Sequence, residues 1–480
     1  MSACRSPEYL SLQARLVNIN ASVGSTLPGH RTNISPALQA ERKLVAGQMN
    51  ELAFPLPFEI LSIISTLYVS SGRQQDHPTR QLCLASVCTL WRDVCFSLGD
   101  LWTSFYIHAN TQTVLNWSIR QTFAGVALEW VSRAGTYPVH LRLDQTFLTC
   151  EYDDPACTAC RFIPIVAGQL ATLDMPLMGV CLRSQTPPCF PQLQSLTLRA
   201  PDQQPTRLMP LRACTFLDAP MLEMVKLHRP GLRLSIDMYL VAAIPWAQLR
   251  HLELRQASMN VCVALLARCS QLLTLDILSS GVLSHEPMSL LPVDLPRLQT
   301  LRFTESLSQL FIHLHMPALQ DIELVELQDV EVKNLVASLV SPQRGPWIST
   351  PRRMQVVNTH TYWVVRLLAL VPSLTTLEMT IRNNDRDFKW HFLGHLRHTD
   401  NFLPNLRTLK IKTCPMDVFP MDLVTTVKRR FDEGVLKQFS VDLVRQHGRE
   451  RRKEEMILAF WDLADEGLEV QVDGEVLHEA

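Results

Sequence analysis

The sequence predicts an α+β or α/β protein in which a small N-terminal helical module is followed by an irregular solenoid of repeated strands. Three observations lead to this prediction. The 480 residues exceed what one hydrophobic core usually serves. Apolar residues recur at helical spacing between residues 51 and 105, and from residue 190 onward one leucine pattern returns many times. The 47% hydrophobic and 19% charged residues are typical of a folded chain.

The first 50 residues predict little regular structure. Residues 1–36 mix Ser, Asn, Pro and Gly without a sustained period, so we expect a poorly ordered lead-in. Arg5, Glu8 and Arg15 interrupt the apolar residues there, and no secretory signal is therefore expected. Residues 37–50 are rich in helix formers and predict one short helix.

Residues 51–105 predict a compact module of two or three helices. Pro57 suits the first turn of a helix in which Ile60, Leu61 and Ile64 recur at helical spacing. A polar stretch over residues 70–78 follows this helix, and it carries the residue types of a turn.

A second helix is predicted after the polar stretch, with Thr79 as its N-terminal cap. It contains Leu82, Ala85, Val87, Cys88, Trp91, Val94 and Cys95, and Leu101 and Trp102 follow it closely. This apolar face is too broad for one packing partner, and so small a module has little core of its own. We therefore expect another protein to cover part of the apolar surface.

Three short motifs stand in order within this module. They are Leu-Pro-x-Glu-Ile-Leu at 56–61, Val-Cys-x-x-Trp-Arg at 87–92 and Leu-Trp at 101–102. Together they resemble the F-box over about 50 residues. The stretch over residues 70–80 is longer than the compact F-box loop, and it is similar to inserts in divergent fungal F-box proteins.

The resemblance implies docking onto the Skp adaptor of a cullin-based ubiquitin ligase. The residues that it assigns to the F-box core or to the adaptor groove are Leu56, Pro57, Ile60, Leu61, Ile64, Val87, Cys88, Trp91, Val94, Leu101 and Trp102. The alternative is that Leu, Val and Trp at this spacing form only the core of a helical domain.

Residues 191–445 repeat a segment of the form Pro-x-Leu-x-x-Leu-x-Leu. Its first leucines at 193, 222, 249, 272, 298 and 319 are 29, 27, 23, 26 and 21 residues apart, which matches leucine-rich repeats. Each copy predicts one strand whose alternate side chains point inward. The gap of 55 residues from 319 to 374 predicts a degenerate copy at 354–357. An α/β domain with leucine-rich strands is the alternative.

The regions before and after the repeats give weaker patterns. Residues 106–190 are a connecting region, in which 139–143 predicts a strand and 170–173 a first degenerate repeat. Residues 446–480 predict a capping helix at 450–463 and a closing strand at 468–472.

No residue set predicts catalysis or a cofactor. Zinc needs four ligands in paired spacing, and only Cys157 and Cys160 have that spacing among the cysteines from 150 to 189. A metal-dependent enzyme built on those cysteines is kept as an alternative. His313 and His315 are expected to flank a core leucine. The chain has no nucleophile elbow, phosphate loop or His-Glu-x-x-His motif.

Charge and cysteine content limit the partners and the cellular compartment that can be expected. The 45 Lys and Arg balance 46 Asp and Glu, so no global field would attract nucleic acid or a membrane surface. The charge runs at 428–430 and 449–455 are expected to be solvated faces rather than nuclear signals or nucleic-acid patches, because Arg451 can pair with Glu454 or Glu455 along a helix. The odd number of 13 scattered cysteines indicates a reducing compartment, the cytosol or the nucleus.

These observations predict a noncatalytic, substrate-recognition subunit of an SCF-type cullin ubiquitin ligase. The F-box would bind the Skp adaptor, and the repeats would bind a target protein whose identity is unknown. No cofactor, nucleic acid or membrane is expected. The alternative is a leucine-rich interaction scaffold without ligase association.

Overall fold

A computed structural model describes most of the chain, in two compact units. One unit comprises Met1–Phe147 with Gln169–Ala171, and the other comprises Leu148–Gly168 with Thr172–Ala480. The described residues are 11–12, 14–16, 18–19, 36–52, 57–70, 77–107, 117–143, 163–176, 188–199, 216–228, 244–257, 259–278, 292–304, 308–327, 332–333, 335–336, 351–359, 361–381, 388–414, 420–443 and 449–477.

The first unit combines helices with a parallel strand pair. Its elements are α1 (Pro36–Leu52), α2 (Phe58–Ser70), α3 (His77–Ala85), α4 (Thr89–Ser97), the 3-10 turn Gly99–Trp102, β1 (Ser104–Ile107), α5 (Trp117–Ala134) and β2 (Val139–Leu143). Phe105 of β1 lies opposite Leu141 of β2 in the parallel register. Of the predicted lead-in, the described residues between 11 and 19 are helical, and the rest lies outside the described residues.

The predicted second helix is two helices in the structure. The chain turns at Ser86 and Val87, and Cys88 is extended, with φ −160° and ψ 177°, just before α4 begins. Arg92 Nε donates a hydrogen bond to the Ala85 carbonyl across this break at 3.0 Å. Thr79 lies inside α3 rather than at its cap, because α3 already begins at His77.

The remaining strands belong almost entirely to the second unit. They are β3 (Leu170–Pro176), β4 (Ser195–Arg199), β5 (Met224–His228), β6 (His251–Arg255), β7 (Thr274–Leu278), β8 (Val293–Asp294), β9 (Thr300–Thr304), β10 (Leu314–His315), β11 (Asp321–Val325), β12 (Arg353–Val357), β13 (Thr376–Thr380), β14 (Thr408–Cys414), β15 (Gln438–Leu443), β16 (Glu469–Val472) and β17 (Glu475–Leu477).

Helices lie between several of these strands. They are α6 (Met259–Leu266), α7 (Thr361–Leu368), α8 (Gly394–His398), α9 (Pro420–Asp432) and α10 (Arg449–Asp465), with shorter 3-10 or π turns at Ala167–Gln169, Trp246–Gln248, Ser308–His313 and Phe388–Leu393. Parallel strands need crossover connections, and these helices supply part of them.

The strands form a sheet of fifteen, in the order β1-β2-β3-β4-β5-β6-β7-β9-β11-β12-β13-β14-β15-β16-β17, while β8 and β10 pair separately. From β3 to β16 neighbours are parallel, and β17 is antiparallel to β16. In most strands the second and fourth residues are buried, as Leu196 and Leu198 are in β4. Each buried leucine side chain contributes roughly 1.5–3 kcal/mol.

The predicted fold class is wrong. The structure has a large, mostly parallel sheet with helices in an α/β-type arrangement, not a helical module followed by a leucine-rich-repeat solenoid. The first unit already contains the parallel pair β1 and β2. The leucine spacing marks a buried strand every few tens of residues, but any parallel sheet with crossovers can produce that spacing. The alternative of an α/β domain with leucine-rich strands fits the structure.

The individual elements agree better with the sequence. The gap between 319 and 374 contains β12, as the doubled spacing predicts, and the strands predicted at 139–143, 170–173 and 468–472 are β2, β3 and β16. The helix predicted at 450–463 is α10, followed by the closing strands β16 and β17.

Candidate functional site

Helix α2 buries only a narrow stripe of its surface. Leu61, Ser65 and Val69 are buried and four residues apart, so they lie on one face of the helix. Ser65 Oγ contacts Cys95 Sγ of α4 at 3.9 Å, which fixes this face against the neighbouring helix. Burial raises the pKa of Cys95, and it outweighs the contact with Ser65, which lowers that pKa. The thiol is therefore a packing group.

The other faces of α2 carry large apolar side chains that remain exposed. Ile63 is 55% exposed and Leu67 63% exposed. Exposed apolar residues continue on α3, in the turn and on α4. We call the set the apolar helical surface, and its members are Phe58, Ile60, Ile63, Ile64, Leu67, Tyr68, Leu82, Val87, Leu90 and Phe96. Single exposed apolar residues are common in soluble proteins, whereas ten on three neighbouring helices and the turn between two of them form the kind of surface at which partners bind.

Polar contacts hold the three helices in place beneath this surface. Arg80 of α3 donates a hydrogen bond to the Tyr68 carbonyl at 2.7 Å, and its guanidinium lies 5.1 Å from the Tyr68 ring centre. The buried Gln81 donates to the Leu101 carbonyl at 2.8 Å. These bonds join the ends of α2, α3 and the 3-10 turn, so the helices are pre-positioned before any partner binds.

Trp102 is the centre of the core of the first unit. Its Nε1 donates a hydrogen bond to the Cys95 carbonyl at 2.8 Å, and its side chain is fully buried. The Trp130 ring of α5 packs edge-on against it at 4.5 Å. The Arg133 guanidinium lies 4.7 Å from the Trp102 ring and 3.8 Å from the Phe96 ring. Trp102 is therefore enclosed by the protein itself.

The structure divides the residues of the F-box resemblance into two groups. Leu61, Val94, Leu101 and Trp102 are buried, Cys88 and Trp91 are partly buried, and Pro57, Ile60, Ile64 and Val87 are exposed. Leu56 lies outside the described residues. The four buried residues cannot touch a partner unless the unit unfolds, whereas the partly buried and exposed residues can.

Sequence reasoning missed residues on both sides of this division. Phe58 and Ile63 on the exposed side are not among the residues that the resemblance assigns, although α2 is apolar on nearly all faces, which is a signal for a covered helix. Trp130 and Arg133 on the core side lie in the region that was predicted only as a connection. No local pattern there indicates that α5 packs against Trp102.

The second unit carries a charged cluster around Glu253 of β6. This carboxylate is only 7% exposed, and it lies 3.2 Å from Lys226 Nζ and 3.7 Å from His228 Nε2. Arg255 Nε also donates a hydrogen bond to it. The contacts with His228, Arg255 and Lys226 outweigh burial and hold the pKa of Glu253 at about 2. Glu253 is therefore ionised at neutral pH.

Glu253 lies in a row of charged side chains that crosses the sheet. The third residues of β6, β7, β9, β11, β12 and β13 are aligned by the parallel register, on the face opposite the buried leucines. We call this set the central row, and it consists of Glu253, Asp276, Arg302, Glu323, Gln355 and Glu378. The row contains four carboxylates and one guanidinium, and the same register aligns Lys226 of β5 and Lys410 of β14 with its two ends, so charges of both signs are present.

Among the described residues, the other candidates from the sequence do not form a metal site. His313 ends a 3-10 turn, and His315 in β10 pairs with Asp294 at 2.8 Å, so the two histidines do not share a strand. Across the described ranges, no group of three His, Cys, Asp or Glu residues could hold a metal ion. Cys150, Cys157, Cys160 and Cys181 lie outside those ranges, and the described Cys189 thiol contacts the Asp218 carbonyl at 3.7 Å.

The basic run at 428–430 is not simply a solvated face. Lys428 pairs with Glu466 at 3.3 Å, and Arg429 pairs with Glu433 at 3.0 Å. Arg430 is buried and donates hydrogen bonds to the carbonyls of Phe402 and Leu403. All three cations are thus engaged within the unit.

Comparisons with known proteins add no assignment: no protein-family model matches the chain, and no curated protein matches it. Within the described part of the chain, none of the helices has the length and apolar character needed to cross a membrane.

Proposed function

We propose that the chain is a noncatalytic substrate-recognition subunit of a cullin-based ubiquitin ligase. In this proposal the apolar helical surface on α2 to α4 docks onto the Skp adaptor, and the second unit holds a target protein. The observation that carries the proposal is the exposure of Phe58, Ile63 and Leu67 beside the Leu-Pro-x-Glu-Ile-Leu motif. Contact of so many apolar side chains with water is unfavourable, and a partner that covers the helix removes this free-energy cost.

The division between buried and exposed motif residues supports the same assignment. Leu61, Val94 and Trp102 hold the three helices together, and the exposed Ile60, Ile64 and Val87 are free to contact the adaptor. An adaptor groove that takes these side chains would gain roughly 25 cal/mol for each Å² of apolar area that it covers. The hydrogen bonds of Arg80 and Gln81 hold the helices in place before docking, so less conformational entropy is lost when the adaptor binds.

The proposed mechanism is tethering. A chain that binds the adaptor with one region and a target with another raises the effective concentration of the target near the catalytic subunit of the ligase. No residue of this chain takes part in a covalent step. We place the protein in the cytosol or the nucleus, where its cysteines would stay reduced.

Binding of a purified Skp adaptor to the full chain tests this proposal. We expect wild-type chain to bind, and Ile63→Asp and Leu67→Asp to weaken binding by about 30-fold or more, the effect of losing a hot spot of about 2 kcal/mol. Val126→Asp is the matched control, because Val126 is an exposed apolar residue on α5, outside the apolar helical surface. Surface plasmon resonance measures the affinity, and circular dichroism confirms that each variant is folded.

The binding test needs substitutions at exposed positions, where the fold is left intact. Leu61→Asp is unsuitable, because Leu61 is buried and the charge would unfold the helices rather than remove a contact. Absence of binding by wild-type chain, or equal binding by Ile63→Asp and Leu67→Asp, would contradict the proposal. The protein would then be an interaction scaffold without ligase association.

A further inference from the structure

Helix α10 has one face packed into the second unit and another that remains exposed. Phe460 and Leu463 are buried, and the Phe460 ring stacks on the Phe439 ring of β15 at 4.8 Å. On the outer face, Leu458 is 76% exposed, the largest fraction for any large apolar side chain among the described residues, and Trp461 is 39% exposed. The helix is therefore anchored by its inner face while its outer face presents apolar side chains to solvent.

Ion pairs on both flanks hold α10 in this orientation. Lys453 pairs with Glu475 of β17. Glu466, directly after the helix, pairs with Lys428 of α9 at 3.3 Å. At 100° per residue, Leu458 lies between these two flanks, so neither pair uses the exposed face. A helix that is already fixed on its other sides loses little conformational entropy when the exposed face binds a partner.

The exposed face is a stripe with opposite charges at its two ends. It consists of Arg451, Glu454, Leu458, Trp461 and Asp465, which are alternately three and four residues apart and therefore lie along one side of α10. All five are exposed. Arg451 and Asp465 are each seven residues from Leu458, which is roughly 10 Å along the helix axis in either direction. The stripe thus has an apolar centre with a cation on one side and an anion on the other.

This order of residues is self-complementary. If two copies pack antiparallel with a twofold axis at Leu458, Arg451 of each copy lies beside Asp465 of the other, and the two Leu458 side chains meet. Parallel packing would place like charges together, which is unfavourable. Arg451 pairs with Glu455 at 3.1 Å within its own helix, but its side chain is 87% exposed, and such a pair contributes little to stability. The guanidinium has enough donors to bind a second carboxylate as well.

The other acidic residues near the centre of the stripe are compatible with this packing. Glu454 would lie opposite Trp461 of the second copy, whose indole N–H is a hydrogen-bond donor. Asp462 lies about 80° around the helix from Glu454, so it points to the side of the stripe. Like charges are therefore kept apart at the contact.

We infer that two copies of this chain associate through the exposed stripes of α10, antiparallel about Leu458, with Arg451 of each copy paired to Asp465 of the other. One helix face offers a small area, so we expect a weak dimer with a dissociation constant of roughly 1–30 μM. The inference does not rest on the proposed function, because α10 belongs to the second unit and the adaptor would dock on α2 to α4. A dimer carries every binding surface twice, which increases its avidity for a multivalent partner.

Sedimentation velocity of the full chain at roughly 1 to 100 μM tests the inference, because this range includes the expected dissociation constant. Wild type should change from monomer to dimer as the concentration rises. Leu458→Asp should stay monomeric, because it places two carboxylates together at the twofold axis. Val476→Asp is the matched control: Val476 is an exposed apolar residue of β17 outside the stripe, so this variant should dimerise like wild type.

Exchange of the two charges tests the antiparallel arrangement. Arg451→Asp and Asp465→Arg should each weaken the dimer by roughly tenfold, because either change creates two contacts between like charges. The double variant that carries both changes should regain the wild-type affinity, because opposite charges then meet again at both ends. Circular dichroism confirms that α10 is intact in each variant.

The outcomes that would overturn the inference are distinct. They are a wild type that stays monomeric at every concentration, a dimer that Leu458→Asp leaves intact, and a double variant as weak as the single ones. Loss of the dimer in Val476→Asp or Leu67→Asp would also overturn it, because the copies would then meet at the sheet edge or at the apolar helical surface. Leu458→Asp should bind the adaptor like wild type, so the dimer and the ligase role can fail independently.

Discussion

The two units present opposite kinds of surface. In the first unit, α2 to α4 expose large apolar side chains above a small core that is centred on Trp102. In the second unit, the face of the sheet opposite the buried leucines carries charged side chains that are buried or partly buried. An apolar surface favours a lasting contact that excludes water, whereas a charged face favours selection among partners and faster encounter. The two units therefore differ in the chemistry that they offer to a partner, which is apolar in the first unit and charged in the second.

Trp102→Ala should have the largest effect, because it removes the ring that joins α4 to α5. We expect the free energy of unfolding of the first unit to fall by about 3–5 kcal/mol, the usual cost of removing a large buried aromatic ring. Urea denaturation followed by near-UV circular dichroism measures the loss. Trp461→Ala is the control, because Trp461 is partly exposed on α10 and its loss should cost far less. Equal losses in the two variants would show that the first unit does not depend on its aromatic core.

Glu253→Gln should have an intermediate effect that depends on pH. The folded-state pKa of Glu253, about 2, lies below the ordinary value of 4.5, so its charge stabilises the fold above pH 4.5. That stabilisation is lost as the pH falls from 4.5 towards 2. At pH 7 the variant should lose roughly 1–3 kcal/mol, because Lys226 and Arg255 lose their partner.

The comparison of wild type and Glu253→Gln at several pH values tests whether the charge of Glu253 stabilises the fold. The difference in unfolding free energy between them should be largest near pH 7 and should shrink below pH 4. Thermal denaturation at pH 7, 4 and 3 measures it, with Glu469→Gln, an exposed glutamate of β16, as the control. A difference that is the same at all three pH values would contradict the assigned charge contacts.

Asp276→Asn should have the smallest effect on stability, and in the opposite direction. The pKa of Asp276 is raised in the folded chain, so folding favours the neutral carboxyl. The free energy of unfolding therefore falls as the pH rises through that pKa. At pH 7 the neutral Asn should therefore stabilise the fold slightly, by roughly 0.5–1 kcal/mol. Thermal denaturation at pH 7 measures the shift. A clear loss of stability would mean that Asp276 has a structural role, and it would weaken the contrast between the two surfaces.

Local patterns were enough to predict many of the elements. The alternation of Leu196 and Leu198 predicts a strand with one buried face, and the same reasoning places β12 inside the doubled gap. Periodicity works here because side-chain direction within a strand or a helix depends only on the backbone repeat. It could not show the break at Cys88, because the extended backbone there interrupts a run of residues that all suit a helix.

Tertiary packing decided which apolar residues form the core and which remain exposed. Leu61 and Ile63 are equally apolar and two residues apart, yet one is buried and the other is 55% exposed. The difference arises because α3 and α4 cover only one stripe of α2, and α5 encloses Trp102 from a distant part of the chain. Asp276 is a similar case, since its unfavourable charge depends on neighbours on other strands.

The sequence by itself determined many of the strands, the leucines that line the sheet core and the presence of F-box-like motifs. Only the tertiary structure decided that the strands form a large parallel sheet, that the motif residues divide into core and surface, and that a charged row crosses the open face. The physical reason is the range of the interactions. Backbone periodicity acts over a few residues, whereas strand register, burial and charge proximity join residues that are far apart in the chain.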